Sequence, residues 1–349
     1  MHMSDMVMKI ESWDTYANRQ IDSLLQKEGI SRDKNLDYTC GIFDEDDNLI
    51  ATGSCFGNTM RCLAVSNEHQ GEGLLNKIMS HLMEVQMMRG NHHVFLYTKV
   101  KSAKFMESLG FYEITRVGND LVFMENRRNG FSSFCNDLKA NYKEGNSIAG
   151  IVMNANPFTN GHLNLVERAA RENDVVHLFV LSENAGPIPF SVRKRLVRAG
   201  VAHLDNVVCH DSGPYMISSA TFPSYFLKDQ DCVIRVQAEL DIQIFCRIAQ
   251  VLGIQRRYVG EEVMSHVTAM YNAVMKEKLP RSGIDCVEIP RVEQSGTVIS
   301  ASTVRQAIHN HELDAVREML PESTYAFFAG KEGEDICRRI QAETNVIHY

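Results

Sequence analysis

NANPFTNGH, residues 154–162, sits between SIAGIVM (147–153) and LNLVERAAREN (163–173). The first flank is short, aliphatic and β-branched, the composition of a strand buried in a parallel sheet. The second places Leu163, Val166, Ala169 and Ala170 on one face, as an amphipathic helix does. Strand, tight loop and helix together aim main-chain N–H groups at an anion, and His162 on the first turn points to phosphate chemistry. Asn156-Pro157 keeps the approach extended, and Thr159 is placed to cap the helix.

Working outward, the apolar runs VVHLFVLS and RRYVG alternate with helical segments, which predicts a βαβ parallel sheet. A second helix start of the same kind is ISASTVRQAI, residues 299–308, where Ser300 or Ser302 can cap and Arg305 offers a planar fork to phosphate oxygens. Two helix N-termini facing one cleft, each carrying about half a positive charge, can grip a triphosphate. Such chemistry needs an attacking oxygen held in line and the developing charge neutralised, not a protein nucleophile.

TNGH and ISASTVR, about 140 residues apart, resemble the T/HxGH and ISxSxxR signatures of the nucleotidyltransferase superfamily, the second matched at Ile299, Ser300, Ser302 and Arg305. The resemblance implies a Rossmann-like, cytidylyltransferase-like domain. It implies catalytic roles for His162 and Arg305, both expected at exposed helix starts, and nucleotide binding by Asn156, Thr159, Gly161, Ser300, Ser302 and Thr303. Two other features stay open: RKRLVR, residues 193–198, reads as a solvated helix face whose Arg195 could meet phosphate, and Gly260-Glu261-Glu262 as a plain strand-end loop or a contact to magnesium or substrate.

Towards the N-terminus, CGIFDEDDNLIATGSCFG reads as a hairpin turning at Asp44–Asn48, and MRCLAV as the next strand. A Gly-bearing loop then opens a helix with Leu74, Leu75, Ile78, Met79 and Leu82 on its apolar side. A dinucleotide fingerprint would want a third Gly at Asn76 and an acid after the next strand, HHVFLYTKV, which ends instead in Thr98 and Lys99. The order resembles the GCN5-related acetyltransferases, whose corresponding loop holds the pyrophosphate of coenzyme A. Gln70 and Gly73 match that loop, and Leu75 departs from its last small position. The helix ending in Leu109-Gly110-Phe111 extends the resemblance, but Met106 stands where family members often carry a proton-donating Tyr. The implication is binding of a coenzyme-A-like arm without independent catalysis.

The polar stretch ENRRNGFSSFCNDLKANYKEGNS divides the chain into an acetyltransferase-like mixed α/β domain at 1–130, a linker at 131–146 and a parallel-sheet nucleotidyltransferase domain at 147–349. The net charge of −8, from 36 basic and 44 acidic residues, favours neither nucleic acid nor a membrane surface. No apolar run approaches the ~20 residues that span a bilayer. The nine Cys form no CxxC pair, no metal site is indicated, and MHMSDMVMKIESWD lacks a signal core, so a cytoplasmic protein is expected.

The order of the two halves, together with NVVCHDSGPYMISSATFPSYFLK and EIPRVEQSGTVISASTVR, resembles the citrate lyase ligases essentially end to end. That resemblance implies an ATP-dependent acid–thiol ligase with Mg²⁺ as cofactor. Acetate would become acetyl-adenylate, and the acetyl group would pass to the thiol arm of the acyl-carrier subunit of citrate lyase. His162 would stabilise charge at the α-phosphate and Arg305 the departing pyrophosphate. The residues alone also admit an adenylyltransferase acting on a phosphorylated small molecule, such as pantetheine phosphate, and a non-catalytic sensor of nucleotide and coenzyme A.

Overall fold

The computed structural model describes residues 6–184, 186–216, 218, 221–225, 227, 229–261, 266–294 and 297–343. The chain divides into two compact units: Met1–Gly130 with Pro223–Val236, and Phe131–Phe222 with Gln237–Tyr349.

The first unit runs β1 (Met8–Lys9), α1 (Thr15–Lys27), β2 (Tyr38–Phe43), β3 (Leu49–Phe56), β4 (Thr59–Val65), α2 (Leu74–Met88), β5 (Phe95–Thr98), α3 (Val100–Ser108), β6 (Tyr112–Val117) and β7 (Leu121–Glu125). Its sheet has the order β1-β2-β3-β4-β5-β7-β6. The hairpin turns where Asp44 accepts from the N–H groups of Asp46 and Asn48. The α2 crossover makes β4 and β5 parallel, yet they pair only at Thr59/Phe95 and Met60/Leu96. Against β3, β4 carries one extra residue between Arg61 and Ala64, with Cys62 at φ 52°. Ile78, Met79 and Leu82 of α2 and Met106 of α3 bury one face of the sheet. On the other face Ile21, Leu24 and Leu25 of α1 pack with Cys62, Ala64 and Tyr225. The Tyr225 carbonyl accepts from both the N–H (2.7 Å) and the hydroxyl (2.9 Å) of Ser31, so a segment remote in sequence completes this core.

The second unit runs α4 (Gly130–Lys139), β8 (Ile148–Met153), α5 (Asn160–Glu172), β9 (Val175–Val180), α6 (Phe190–Gly200), β10 (Val207–Asp211), α7 (Gln230–Leu252), β11 (Arg256–Gly260), α8 (His266–Lys278), β12 (Asp285–Ile289), the short strands β13 (Glu293–Gln294) and β14 (Thr297–Val298), α9 (Ala301–His309), α10 (Glu322–Ala329) and α11 (Glu334–Ala342). Its five-stranded sheet, β10-β9-β8-β11-β12, is parallel at every pairing. From β8 the chain winds first to β9 and β10 and later returns on the other side to β11 and β12. The crevice at the carboxyl ends of β8 and β11 is therefore the switch point where ligands bind in such sheets. NANPFTNGH leaves β8 at that crevice.

Residues 131–146, expected as a linker, hold α4 instead. Phe131, Cys135 and Leu138 recur at helical spacing and are buried, with Phe131 4.8 Å from the Tyr215 ring and the Arg247 guanidinium 4.2 Å over it. The Asn, Ser and Lys between them form the solvated side of a helix.

Two histidines meet inside this unit, His177 Nδ1 lying 2.8 Å from His210 Nε2, with Phe179 stacked on His210. Burial pushes both down to about 4. Between that value and the usual ~6.5 the unfolded chain takes up protons that the folded chain refuses, so this stability is present above about pH 6.5 and lost as pH falls towards 4. Urea midpoints are expected to fall between pH 7.5 and 5.0, and to fall less in His210→Gln. An equal fall in both proteins refutes this.

Candidate active site

Thr159, at φ −118° and ψ 169°, is the N-cap of α5. Its hydroxyl accepts the His162 N–H at 3.4 Å, and its own N–H donates to His162 Nδ1 at 3.1 Å, which closes a reciprocal capping box. The consequence is chemical. Nδ1, facing an N–H donor, must be the unprotonated nitrogen, so the neutral ring carries its proton on Nε2 and presents a donor. Burial first, and the nearby Arg291 guanidinium second, lower the His162 pKa to about 4, so the ring is neutral throughout the physiological range. Thr159 itself is buried and spends its hydroxyl on this cap.

Ser300 caps α9 in the same manner, accepting from the Thr303 N–H at 3.0 Å. Its hydroxyl also lies 2.9 Å from that of Ser302 and 2.7 Å from that of Thr303, so the three form one hydroxyl cluster on the helix start. The two starts adjoin: a Cβ at Gly161 would stand 3.5 Å from the Ile299 carbonyl. That is ordinary contact and Gly161 has no positive φ, so the fold itself does not demand glycine there.

Arg305 departs from the expectation of an exposed helix start. It is 5% exposed, and its Nη1 donates to the Asn156 carbonyl, tying α9 to the loop after β8. The apolar face of α9, with Val304, Ala307 and Ile308 buried, carries Arg305 inward with it. Asn156 is buried too, its side-chain oxygen left without a hydrogen-bond partner, and the Asn156–Pro157 peptide is cis.

The basic run on α6 needs a correction. Arg195 is exposed and paired with Glu332 at 2.9 Å, but Arg193 is 2% exposed and surrounded by main-chain carbonyls. Sequence reading also missed Arg291, just past β12, whose Nε donates to the Glu261 carbonyl at 2.9 Å. A basic residue at the carboxyl end of a parallel strand was the available signal. Glu262 lies outside the described residues.

In the first unit Gln70 follows a short turn of 3₁₀ helix and donates to Asn67 Oδ1 at 2.6 Å. Gly73 is the N-cap of α2 at φ 75°, a left-handed conformation that favours glycine, and no side chain caps the helix. The first N–H groups of α2 thus lack a side-chain acceptor. Met106 is a core residue, 3% exposed.

Comparison with known proteins bears on the whole chain. The family described as "Citrate lyase ligase C-terminal domain" is matched over residues 148–328. The citrate (pro-3S)-lyase ligase of Klebsiella pneumoniae is 36% identical over 312 residues, 88% of this chain and 91% of that one. The Escherichia coli protein of the same name is 36% identical over 301 residues, 84% and 86% of the two chains. Among solved structures, the ribosomal-protein-S18-alanine N-acetyltransferase of Escherichia coli overlaps 34% of this chain and 91% of its own (16% identity, TM-score 0.27). Pantothenate synthetase from Thermus thermophilus overlaps 57% and 82% (18% identity, TM-score 0.35). With 36% identity to those relatives over most of both lengths, and with the family's C-terminal domain spanning the sheet and both helix starts, the chain belongs to the citrate lyase ligase family.

Proposed function

We propose that the protein condenses acetate with ATP to acetyl-adenylate, releasing pyrophosphate, and then transfers the acetyl group to the thiol arm of the citrate lyase acyl-carrier subunit, releasing AMP. The observation that carries the first step is the fixed tautomer of His162: Thr159 holds Nδ1, which leaves Nε2 as the donor, on a helix whose Gly161 adjoins the Ile299 carbonyl at the second helix start. An acetate oxygen attacks the α-phosphorus while the bond to the β-phosphate bridging oxygen breaks. Nε2–H stabilises charge on the α-phosphate without itself being lost, and the hydroxyls of Ser300, Ser302 and Thr303, clustered at the start of α9, receive the β- and γ-phosphates. Arg305 acts by holding Asn156, and the free side-chain oxygen of Asn156 suits a nucleotide hydroxyl.

Mg²⁺ belongs with ATP as part of the substrate. Such an ion is bound mainly by phosphate oxygens and water. The carrier thiolate then attacks the acetyl carbonyl, the carbonyl–AMP bond breaks, and the thiol proton goes to solvent. Gln70, Gly73 and the start of α2 hold the phosphates of the arm. We place this chemistry in the cytoplasm, where nine unpaired cysteines persist; no described helix is long and apolar enough to cross a membrane.

The test is ATP–pyrophosphate exchange by the full chain, run with acetate, with pantetheine phosphate and with neither, followed by acetylation of deacetylated citrate lyase. Acetate-dependent exchange and restored thioester are expected. Exchange supported by the phosphate ester alone would assign the protein to the adenylyltransferases instead.

A further inference from the structure

We propose that Arg193 is a positioning residue for the adenylation step, setting the conformation of the loop that carries His162. Its guanidinium is used almost to capacity. Nη1 donates to the carbonyls of Asn154 (2.7 Å) and Leu181 (2.9 Å), Nη2 to that of Glu183, and Nε to that of Ile188 (3.2 Å). Four of its five N–H groups thus bind the chain where it leaves β8 and β9, on the ligand side of the sheet. None of these partners is a carboxylate: the Glu183 carboxylate accepts instead from Ser218 N–H and the Thr221 hydroxyl. A cation buried on neutral carbonyls is a costly way to fill space, since apolar side chains of similar volume do so at lower cost. What the guanidinium supplies, and an apolar side chain cannot, is a fixed position for several carbonyls at once.

The residue that needs this lies between two clamped neighbours. Ala155 is buried at φ 52°, a conformation that L residues with a Cβ disfavour. On one side the Asn154 carbonyl is held by Arg193, and on the other the Asn156 carbonyl is held by Arg305. The far end of α6 grips the same loop independently, because a Cβ at Gly200 would stand 2.4 Å from the ring of Phe158, which is fully buried. One helix therefore fixes both ends of residues 154–158, and the next residue is the Thr159 cap that orients His162. Motion at Arg193 is passed to the donor on Nε2. Lysine, with three donors and no planar fork, cannot serve four carbonyls.

The inference rests on the adenylation reading, so its experiment has one readout that depends on activity and one that does not. In full-length Arg193→Lys, kcat for acetate-dependent exchange is expected to fall about 10²-fold while KM for ATP stays within about threefold, as for a misplaced transition-state donor. A urea melt gives the folded fraction used to normalise kcat. Adding Ala155→Gly, which allows positive φ without a clamp, should return about tenfold of the loss. Gly200→Ala, which presses on Phe158 from the other end of α6, should also lower kcat more than it raises KM. Amide hydrogen exchange over residues 154–163 should speed up in Arg193→Lys relative to 148–153, whatever the enzyme's activity proves to be. Wild-type kcat per folded molecule, a deficit untouched by Ala155→Gly, or unchanged protection over 154–163 would each overturn the proposal. A wild-type enzyme that shows no acetate-dependent exchange, with protection still lost in the variant, would overturn the adenylation reading and leave the loop-setting role standing.

Discussion

Replacing His162 by alanine is expected to lower acetyl-adenylate formation by about 10²-fold or more, the usual loss on removing one preorganised donor from a developing charge. The fold should persist. The Thr159 hydroxyl accepts the main-chain N–H of residue 162, which alanine keeps, so the cap of α5 loses only the two contacts at the ring's Nδ1, from the Thr159 N–H and the Thr159 hydroxyl. Each of them amounts to about 1 kcal/mol. Arg305→Ala should behave differently, because it leaves the Asn156 carbonyl without its buried donor and lowers both rate and stability. Comparing a stopped assay of pyrophosphate release with urea melts separates the two cases. A near-wild-type rate in His162→Ala would remove the imidazole from the reaction. The same geometry predicts the pH profile: with the ring pKa near 4, the exchange rate should show no step attributable to imidazole protonation between pH 8 and 6.

What the sequence made legible here is local in origin. A buried strand followed by an amphipathic helix has a period that survives without tertiary context, and a Thr three residues before a His is enough to predict a cap. The two helix starts and the hydroxyls on them were readable for that reason. Arginine burial was not. Charged residues are exposed by default, and Arg193 and Arg305 go inside because main-chain carbonyls remote in sequence are waiting for them. A weak signal existed on α6, where Arg193, Leu196 and Val197 share one face at helical spacing, which puts the arginine on the apolar side. The helix in residues 131–146 was hidden by the Gly, Asn and Ser around it, although Phe131, Cys135 and Leu138 keep helical spacing. Tyr225 could not have been assigned to the first unit at all. Its partners Ser31, Cys62 and Ala64 lie more than a hundred residues away, and no periodicity records such a contact.

That placement of Tyr225 decides how the division of labour between the units is best tested. Deleting residues 1–130 would uncover a side chain buried against α1 and β4, so loss of activity in the fragment would not report on the arm. A point substitution on the loop proposed to hold the arm is cleaner, and Gly73→Val is the sharpest. Gly73 is at φ 75° with nothing within 4 Å of a built Cβ, so the substitution strains the backbone without striking the core. A β-branched side chain at a left-handed N-cap forces the loop to shift and covers the first N–H groups of α2, which have no side-chain cap. Losing even one hydrogen bond from those groups to a phosphate costs about 1.5–3 kcal/mol, so acetylation of limiting carrier subunit should fall about tenfold to a hundredfold. Acetate-dependent exchange should stay near wild type, because the two helix starts proposed to bind the triphosphate, α5 and α9, belong to the other unit. A small soluble thiol supplied in excess should be acetylated equally by both proteins, since it gains nothing from an anchored arm and so loses nothing when the anchor is removed. Equal loss of exchange and transfer in a folded Gly73→Val enzyme would mean that the loop serves adenylate formation. Undiminished carrier acetylation would mean that the arm is held elsewhere.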